Sequence, residues 1–271
     1  PILTEARVTD LWVHEESVQG VGYRRPHGSL ERLGCQVLVL ACNGFGGNPD
    51  LVRQFLPQMQ EALFAGHVGN DGTALLWGQA LGAGLADLGG YQGHGSWAIP
   101  QGALISWALM MEGGIQINTL GQRFHDETQG YSEAAVQVLA QPGGVAWNVL
   151  DSELLKFAQD FPDFCAAQAA GAVQSFESLA GLAAAVSCPL ATLTQTLASV
   201  QPGEDPRTGR KFLRALQAPY HAIKVTGALF HTQGGLAIDA QTHVLSSGGH
   251  AFPNLLAAGG AARGVSGNAV W

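Results

Sequence analysis

Strand-forming sequence lies at both ends of this 271-residue chain, and mixed helical and strand sequence separates the two. Arg7-Val8-Thr9-Asp10-Leu11-Trp12-Val13 is rich in strand formers and partly alternates apolar and polar residues with a period of two. Val18 to Tyr23 repeats the alternation, Pro26-His27-Gly28 makes a turn, and Cys35 to Ala41 is an apolar run suited to a strand buried on both faces. Strands are expected again at Tyr220 to Val225, Leu236 to Asp239 and Leu255 to Ala258. Residues 101–225 differ in character. They hold a short strand at Ile115 to Asn118, a turn at Leu120-Gly121, helices at Glu153 to Gln159, Ser175 to Ala185 and Leu190 to Val200, and a polar loop at Gly203 to Pro206. The order is that of one domain interrupted by another.

The apolar run ends in Cys42-Asn43-Gly44-Phe45-Gly46-Gly47-Asn48-Pro49, and a helix is expected from Pro49, where proline suits the first turn. Strand, glycine turn and helix follow one another as in a dinucleotide-binding loop. The spacing is Gly44-x-Gly46-x-x-Pro49, however, so the third glycine that lets helix and strand approach is missing, and the segment is not the primary fingerprint. A second helix is expected from Asn70-Asp71-Gly72-Thr73 through Leu85, ending at Asp87.

Only 13% of residues are charged, about half the usual share, and there are 37 glycines. Such a surface suggests cover by a cofactor, by further chain or by a second subunit of a homo-oligomer; a tighter globule is the alternative. A net charge of -8 without Lys/Arg clusters argues against nucleic acid or an anionic membrane as partner. No apolar run reaches 18 residues, so no membrane span is expected. The chain begins at Pro1 without a visible signal peptide, which suggests a preceding part. Cys35, Cys42, Cys165 and Cys188 share no metal-ligand spacing and are expected to be reduced, buried thiols of a cytoplasmic protein.

Five segments occur in order: Ala41 to Asn48, Gly69-Asn70-Asp71-Gly72, Gly121-Gln122-Arg123-Phe124-His125-Asp126-Glu127, Phe230-His231-Thr232-Gln233-Gly234-Gly235, and Ala257-Ala258-Gly259. Together they resemble the flavoprotein subunits of the fumarate reductase and succinate dehydrogenase superfamily over nearly the whole chain. The resemblance implies an α/β fold with an α+β insertion. A partial, Rossmann-like FAD-binding domain with a β-meander (1–105) would be interrupted by a capping domain (106–225) and resumed at 226–271. The family's N-terminal glycine fingerprint has no counterpart here, and the stretch Gly264-Val265-Ser266-Gly267-Asn268-Ala269-Val270-Trp271 stops where the family continues into a further helix. The implied cofactor is FAD, held by Val8, Ala41, Asn43, Gly44, Asp71, Gly72, Thr232 and Gly259. Gly260 stands where the family usually carries Glu.

For the active site, the resemblance places His94 and His231 on substrate-binding histidines and Ser106 on a carboxylate-binding threonine. All three types suit donation to an anionic or carbonyl oxygen. The proton-delivering Arg, Glu and Arg of a fumarate reductase correspond to Tyr131, Trp107 and Met110, so the chain is not expected to reduce fumarate. Tyr131 instead is the candidate acid or base. Tyr131-Ser132-Glu133 and Val138 to Trp147 look most like the tricarballylate dehydrogenase branch. The implied activity is an oxidoreductase working on a C–C bond beside a carboxylate or carbonyl, with an electron donor or acceptor as partner. Plainer readings stand beside these roles: His94 as a loop histidine bonded to backbone, Tyr131 as a packed aromatic, Ser106 bonding its own backbone, Asp126-Glu127 as a structural tie. His125-Asp126 lacks further ligands, so no metal site is expected. A chain that binds no FAD by itself, or that completes its site with another chain, is the alternative to catalysis.

Overall fold

The computed structural model describes residues 2–269; Pro1, and Val270 and Trp271 at the end of the glycine-rich stretch, lie outside the described residues. The fold is mixed α/β, and the chain divides into two compact units. One comprises residues 2–57, Gly66–Tyr91 and His231–Ala269; the other comprises Gln58–Ala65 and Gln92–Phe230. Their edges at 91/92 and 230/231 differ from the sequence-derived boundaries at 105/106 and 225/226, and the second unit also takes Gln58–Ala65.

The first unit opens with an antiparallel meander, Arg7–His14, Ser17–Arg24 and Leu30–Gly34. Its middle strand alternates buried and half-buried residues, as the period of two requires. The apolar run from Cys35 forms a strand only over Leu38–Leu40, and the expectation of burial on both faces fails: Val37 and Val39 are each 54% exposed. That short strand runs parallel to Ala251–Ala257, with Leu38, Val39 and Leu40 opposite Leu255, Leu256 and Ala257. His243–Leu245 pairs with the other side of Ala251–Ala257. Asn254 ties the meander to this sheet, accepting from the Val18 amide and donating to the Val18 and Gln36 carbonyls. Val18, Leu40, Leu236, Val244, Phe252 and Leu255 form the core, each worth roughly 1.5–3 kcal/mol of burial for the larger side chains.

Two helices belong to this unit. Pro49–Phe55 is capped by Asn48, whose side chain accepts from the Asp50 and Leu51 amides. Thr73–Ala80 stops short of the expected end at Asp87, because Gly82 turns the chain at φ 79° and Leu85–Ala86 pairs instead with Gly235–Leu236.

The second unit is built on a seven-stranded sheet whose central strand is Tyr220–Thr232, flanked by Tyr91–Ala98 and Val145–Asp151. Ile115–Ile117 lies beyond Val145–Asp151, Ala103–Leu104 beyond Tyr91–Ala98, and Val173–Phe176 and Leu63–Phe64 pair with separate parts of the central strand. The helices are Ala108–Met111, Tyr131–Leu139, Ser152–Ala158, Pro162–Ala169, Leu179–Val186 and Leu190–Ala198. The helix expected from Ser175 starts four residues later, since Ser178 caps it and Ser175 belongs to a strand. The polar loop at Gly203 contains a two-residue strand pairing with Lys211–Phe212.

Helix Tyr131–Leu139 lies directly on strand Tyr91–Ala98. A Cβ on Gly93 would stand 2.9 Å from Ala135 Cβ, and one on Gly95 would stand 2.6 Å from Ala134 Cβ, so only glycine permits this approach. The cysteines are all free thiols, but they are not buried as expected: Cys42 is exposed and Cys35, Cys165 and Cys188 are half-buried. Among the described residues no helix is long and apolar enough to cross a membrane.

Candidate active site

The close helix-strand contact fixes His94 between two glycines of strand Tyr91–Ala98, not in a loop. Its ring is 5% exposed and stacks on Tyr131 at 5.1 Å and Phe230 at 5.6 Å, with Trp107 edge-on at 5.8 Å. His94 Nδ1 accepts from the Ser96 amide at 3.1 Å. A neutral ring therefore carries its proton on Nε2 and is a donor there. Burial pushes its pKa down to about 4, so the ring is neutral at pH 7.

Tyr131 is the first residue of its helix, and its hydroxyl oxygen accepts from Gln92 Nε2 at 3.1 Å, leaving the phenolic proton free to donate. Ser106 Oγ accepts from the Ala108 amide at 3.3 Å, a local backbone bond of the plainer kind, which also leaves its proton free. His94, Ser106 and Tyr131 line one cavity of about 670 Å³, together with Gln92, Trp107 and Phe230. Met110 is fully buried and does not line it.

A polar network lies behind His94. Asn148 donates to Ser96 Oγ, Gln116 Nε2 donates to Asn148 Oδ1 and the Gly95 carbonyl, and His125 Nε2 meets Gln116 Oε1 at 2.8 Å. Because the Gln116 amide nitrogen is donating, its oxygen accepts, and His125 is protonated on Nε2. Glu127 closes the network by accepting from the Gln116 amide while paired with Arg123 and Arg210, and the Trp107 indole donates to its carbonyl. Sequence reading missed Gln92, Phe230 and the Ser96–Asn148–Gln116 chain. Phe230 opens the quoted segment Phe230 to Gly235 but was given no role there; the others carry no local signal.

The neutral His94 makes the fold acid-sensitive. The folded ring stays unprotonated down to about pH 4, whereas in the unfolded chain it protonates below its ordinary 6.5. Between those values the unfolded state binds more protons, so stability falls as pH falls. The full loss is of the order of 3 kcal/mol at 1.36 kcal/mol per unit. The unfolding free energies of the wild type and His94→Phe, from urea denaturation between pH 7 and 4, are expected to diverge by that amount. His125 and His221, also lowered chiefly by burial, are present in both proteins and cancel. Parallel curves would remove the neutral, buried imidazole.

The first unit holds the other predicted residues: Ala41, Asn43 and Gly44 follow one parallel strand and Gly259 the other, Val8 lies in the meander, and Asp71 and Gly72 precede the helix Thr73–Ala80. Asn43 adopts a left-handed φ of 65°, with its Oδ1 accepting from the Gly44 amide at 2.9 Å. The Phe45 amide donates to Thr232 Oγ1 at 3.1 Å, and a Cβ on Gly44 would fall 2.0 Å from that oxygen. Gly44 is thus required by the approach of Thr232. Its carbonyl accepts from the Gly72 amide at 3.0 Å, the Gly47 amide donates to the Asn70 carbonyl, and Asn48 Nδ2 donates to the Asp71 carbonyl, which joins the two loops.

Val8, Ala41 and Asp71 line an apolar-walled cleft of about 540 Å³ with Leu11, Val39 and Trp77. Asn43, Thr232, Gly259 and the exposed His231 line a second of about 310 Å³. A Cβ on Gly260 would stand 2.2 Å from Asn43 Oδ1, so Asn43 fills the space in which a glutamate at 260 would begin.

The sequence profile described as FAD binding domain matches residues 1–269. The chain belongs to this family. The FAD binding domain is 28% identical over 269 residues to a probable fumarate reductase of Shewanella frigidimarina (strain NCIMB 400), covering 97% of this chain and 45% of that one. The structure resembles the open conformation of a flavocytochrome c3 fumarate reductase with a TM-score of 0.82 at 28% identity, covering 96% of this chain and 47% of the other. It resembles a 3-ketosteroid-Δ4-(5α)-dehydrogenase of Rhodococcus jostii RHA1 with a TM-score of 0.68 at 25% identity, covering 96% and 54%. The chain spans less than half the length of the curated fumarate reductase it matches. These likenesses set the FAD binding domain in the fumarate reductase and succinate dehydrogenase flavoprotein superfamily, a group of FAD-dependent oxidoreductases.

FAD is the cofactor of the family, and the first unit's residues fit such a group. The apolar walls around Val8 and Trp77 suit a flat ring system, and Asp71 offers a carboxylate there. Gly259, at φ 59°, has nothing within 4 Å of a built Cβ and leaves the second cleft open to a close backbone approach.

Proposed function

We propose that this FAD binding domain serves an oxidoreductase acting on a C–C bond beside a carboxylate or carbonyl. FAD, when bound, supplies the acceptor or donor of hydride at its N5. Val8, Ala41, Asn43, Gly44, Asp71, Gly72, Thr232 and Gly259 would hold it. His94 donates its Nε2 proton to the substrate oxygen, Ser106 offers a second hydroxyl donor, and Tyr131 gives or takes the proton that balances the hydride. His231 offers a further donor in the first unit. The observation carrying this reading is that a neutral, tautomer-fixed histidine and a phenol with its proton free line one cavity.

The Tyr131 to Trp147 stretch supports kinship with the tricarballylate dehydrogenase-like branch. Four free thiols favour a reducing compartment, the cytoplasm, and the sparse charge favours a homo-oligomer. A second reading is that FAD binds only when another chain completes the site. The exposure of Val39 (54%) and Val68 (80%), both on the larger cleft of the first unit, favours it. An absorbance scan of the purified chain with added FAD separates the two. A protein-bound peak near 450 nm that bleaches on anaerobic addition of substrate is expected; no bound flavin would end the case for catalysis by this chain alone.

A further inference from the structure

We infer that Ser152, with His221 as its base, is a nucleophile that takes the acyl group of small uncharged esters and hydrolyses them. Three segments of the second unit bring the group together. Ser152 opens helix Ser152–Ala158, His221 stands on the central strand, and Ser175 lies opposite His221 on Val173–Phe176. The imidazole is 5% exposed, yet each of its nitrogens meets the hydroxyl of an exposed serine: Ser152 Oγ lies 3.3 Å from Nε2, and Ser175 Oγ 2.8 Å from Nδ1. A nucleophile, its base and a third group orienting the base are the arrangement that activates a hydroxyl.

Burial holds the His221 pKa below its ordinary value, so the ring is an uncharged base at neutral pH. With the ring proton on Nδ1 donated to Ser175 Oγ, the Nε2 lone pair faces the Ser152 hydroxyl. Asp151 and Glu177 act against the burial and favour the imidazolium that forms as Ser152 loses its proton. The Ser152 oxygen adds to the ester carbonyl carbon while its proton passes to Nε2. The alcohol leaves with that proton, and the acyl group stays on Ser152. Water then gives a proton to Nε2 and adds to the acyl carbon; Ser152 departs, takes the proton back and frees the carboxylic acid. Ser152 borders a cleft of about 190 Å³ with Arg214 and Gln217, room for a short acyl group. Arg214 gives Nε to Glu153, Nη1 to Asp151 and the Ala215 carbonyl, and one Nη2 proton to Asp151, which leaves the other Nη2 proton for the oxyanion. The carboxylates of Asp151 and Glu153 in the same lining disfavour anionic esters.

The purified chain with 4-nitrophenyl acetate tests this, nitrophenol release being followed by absorbance and the acetylated residue located by peptide mass spectrometry. The wild type is expected to carry the acetyl group on Ser152 and to release more than one nitrophenol per chain. Ser152→Ala, whose helix keeps its Asp151 cap, is expected to release it at least about tenfold more slowly. Ser175→Ala, which removes the positioning hydroxyl, is expected to slow release, and Ser175→Thr, which keeps it, to preserve the wild-type rate. Undiminished release by Ser152→Ala, an acetyl group on Lys156 in place of Ser152, release that stops at one nitrophenol per chain, or equal rates for the two Ser175 variants would overturn the inference.

Discussion

Replacing Glu127 by alanine is expected to destabilise the second unit by about 3–5 kcal/mol, the cost of leaving buried charges without their partner. Glu127 is completely buried, and both carboxylate oxygens are fully engaged: Oε1 accepts from the Gln116 amide and Arg123 Nε, Oε2 from Arg123 Nη2 and Arg210 Nη1. Burial pushes its carboxyl pKa up, but the Arg123 hydrogen bonds and the two guanidinium charges outweigh that and hold it below the ordinary range. Arg123 keeps Asp205 as a second partner, whereas Arg210 would retain only the Met110 and Gly114 carbonyls and the face of Phe212. The adjacent Asp126 closes only a local turn onto Thr128, so Asp126→Ala is expected to cost about 1 kcal/mol or less. Urea denaturation of the two variants decides the matter. Equal shifts would mean that the buried ion pairs contribute no more than a surface turn.

For the proposed oxidoreductase activity, Tyr131→Phe is expected to slow FAD-dependent turnover by about 10²–10⁴-fold, the usual worth of a positioned acid or base. The ring would remain, so its stack on His94 at 5.1 Å and the cavity wall would persist, and substrate affinity should change little. What disappears is the one phenolic proton, left free because Gln92 donates to the oxygen. Steady-state rates alongside titration separate this loss from a binding defect: kcat should fall while the dissociation constant holds. Undiminished kcat would return Tyr131 to the role of a packed aromatic and leave the proton step without its agent.

The sequence disclosed the parts whose chemistry is local. The meander alternates with a period of two, Asn48-Pro49 marks its helix, and the Phe230 to Gly235 segment marks the passage between the units. The strand that carries His94 was invisible. Gly93 and Gly95 are demanded by the helix packed on it, and they erase the apolar signature by which a buried strand is recognised. Val145–Asp151 was hidden in a related way, since Asn148 interrupts its apolar run to serve Gln116 and Ser96. Cys35 to Ala41 misled in the opposite sense. Composition suggested cover on both faces, but hydrophobicity states only that a residue gains from burial, and Val37 and Val39 lie more than half exposed. Gln92 and Phe161 reach the same cavity from strand and loop positions 69 residues apart, a coincidence that only the tertiary fold creates.

The parallel pairing of Leu38–Leu40 with Leu255–Ala257 also sets a timetable. On the ribosome, the strand that presents Asn43 and Gly44 emerges more than two hundred residues before its partner. At about 5–20 residues per second that is a wait of roughly 10 to 40 s. Residues 92–230 meanwhile emerge with nearly all their sheet partners among themselves. The sheet of residues 92–230 is thus finished first, and the two parallel strands that present Asn43 and Gly259 are joined last.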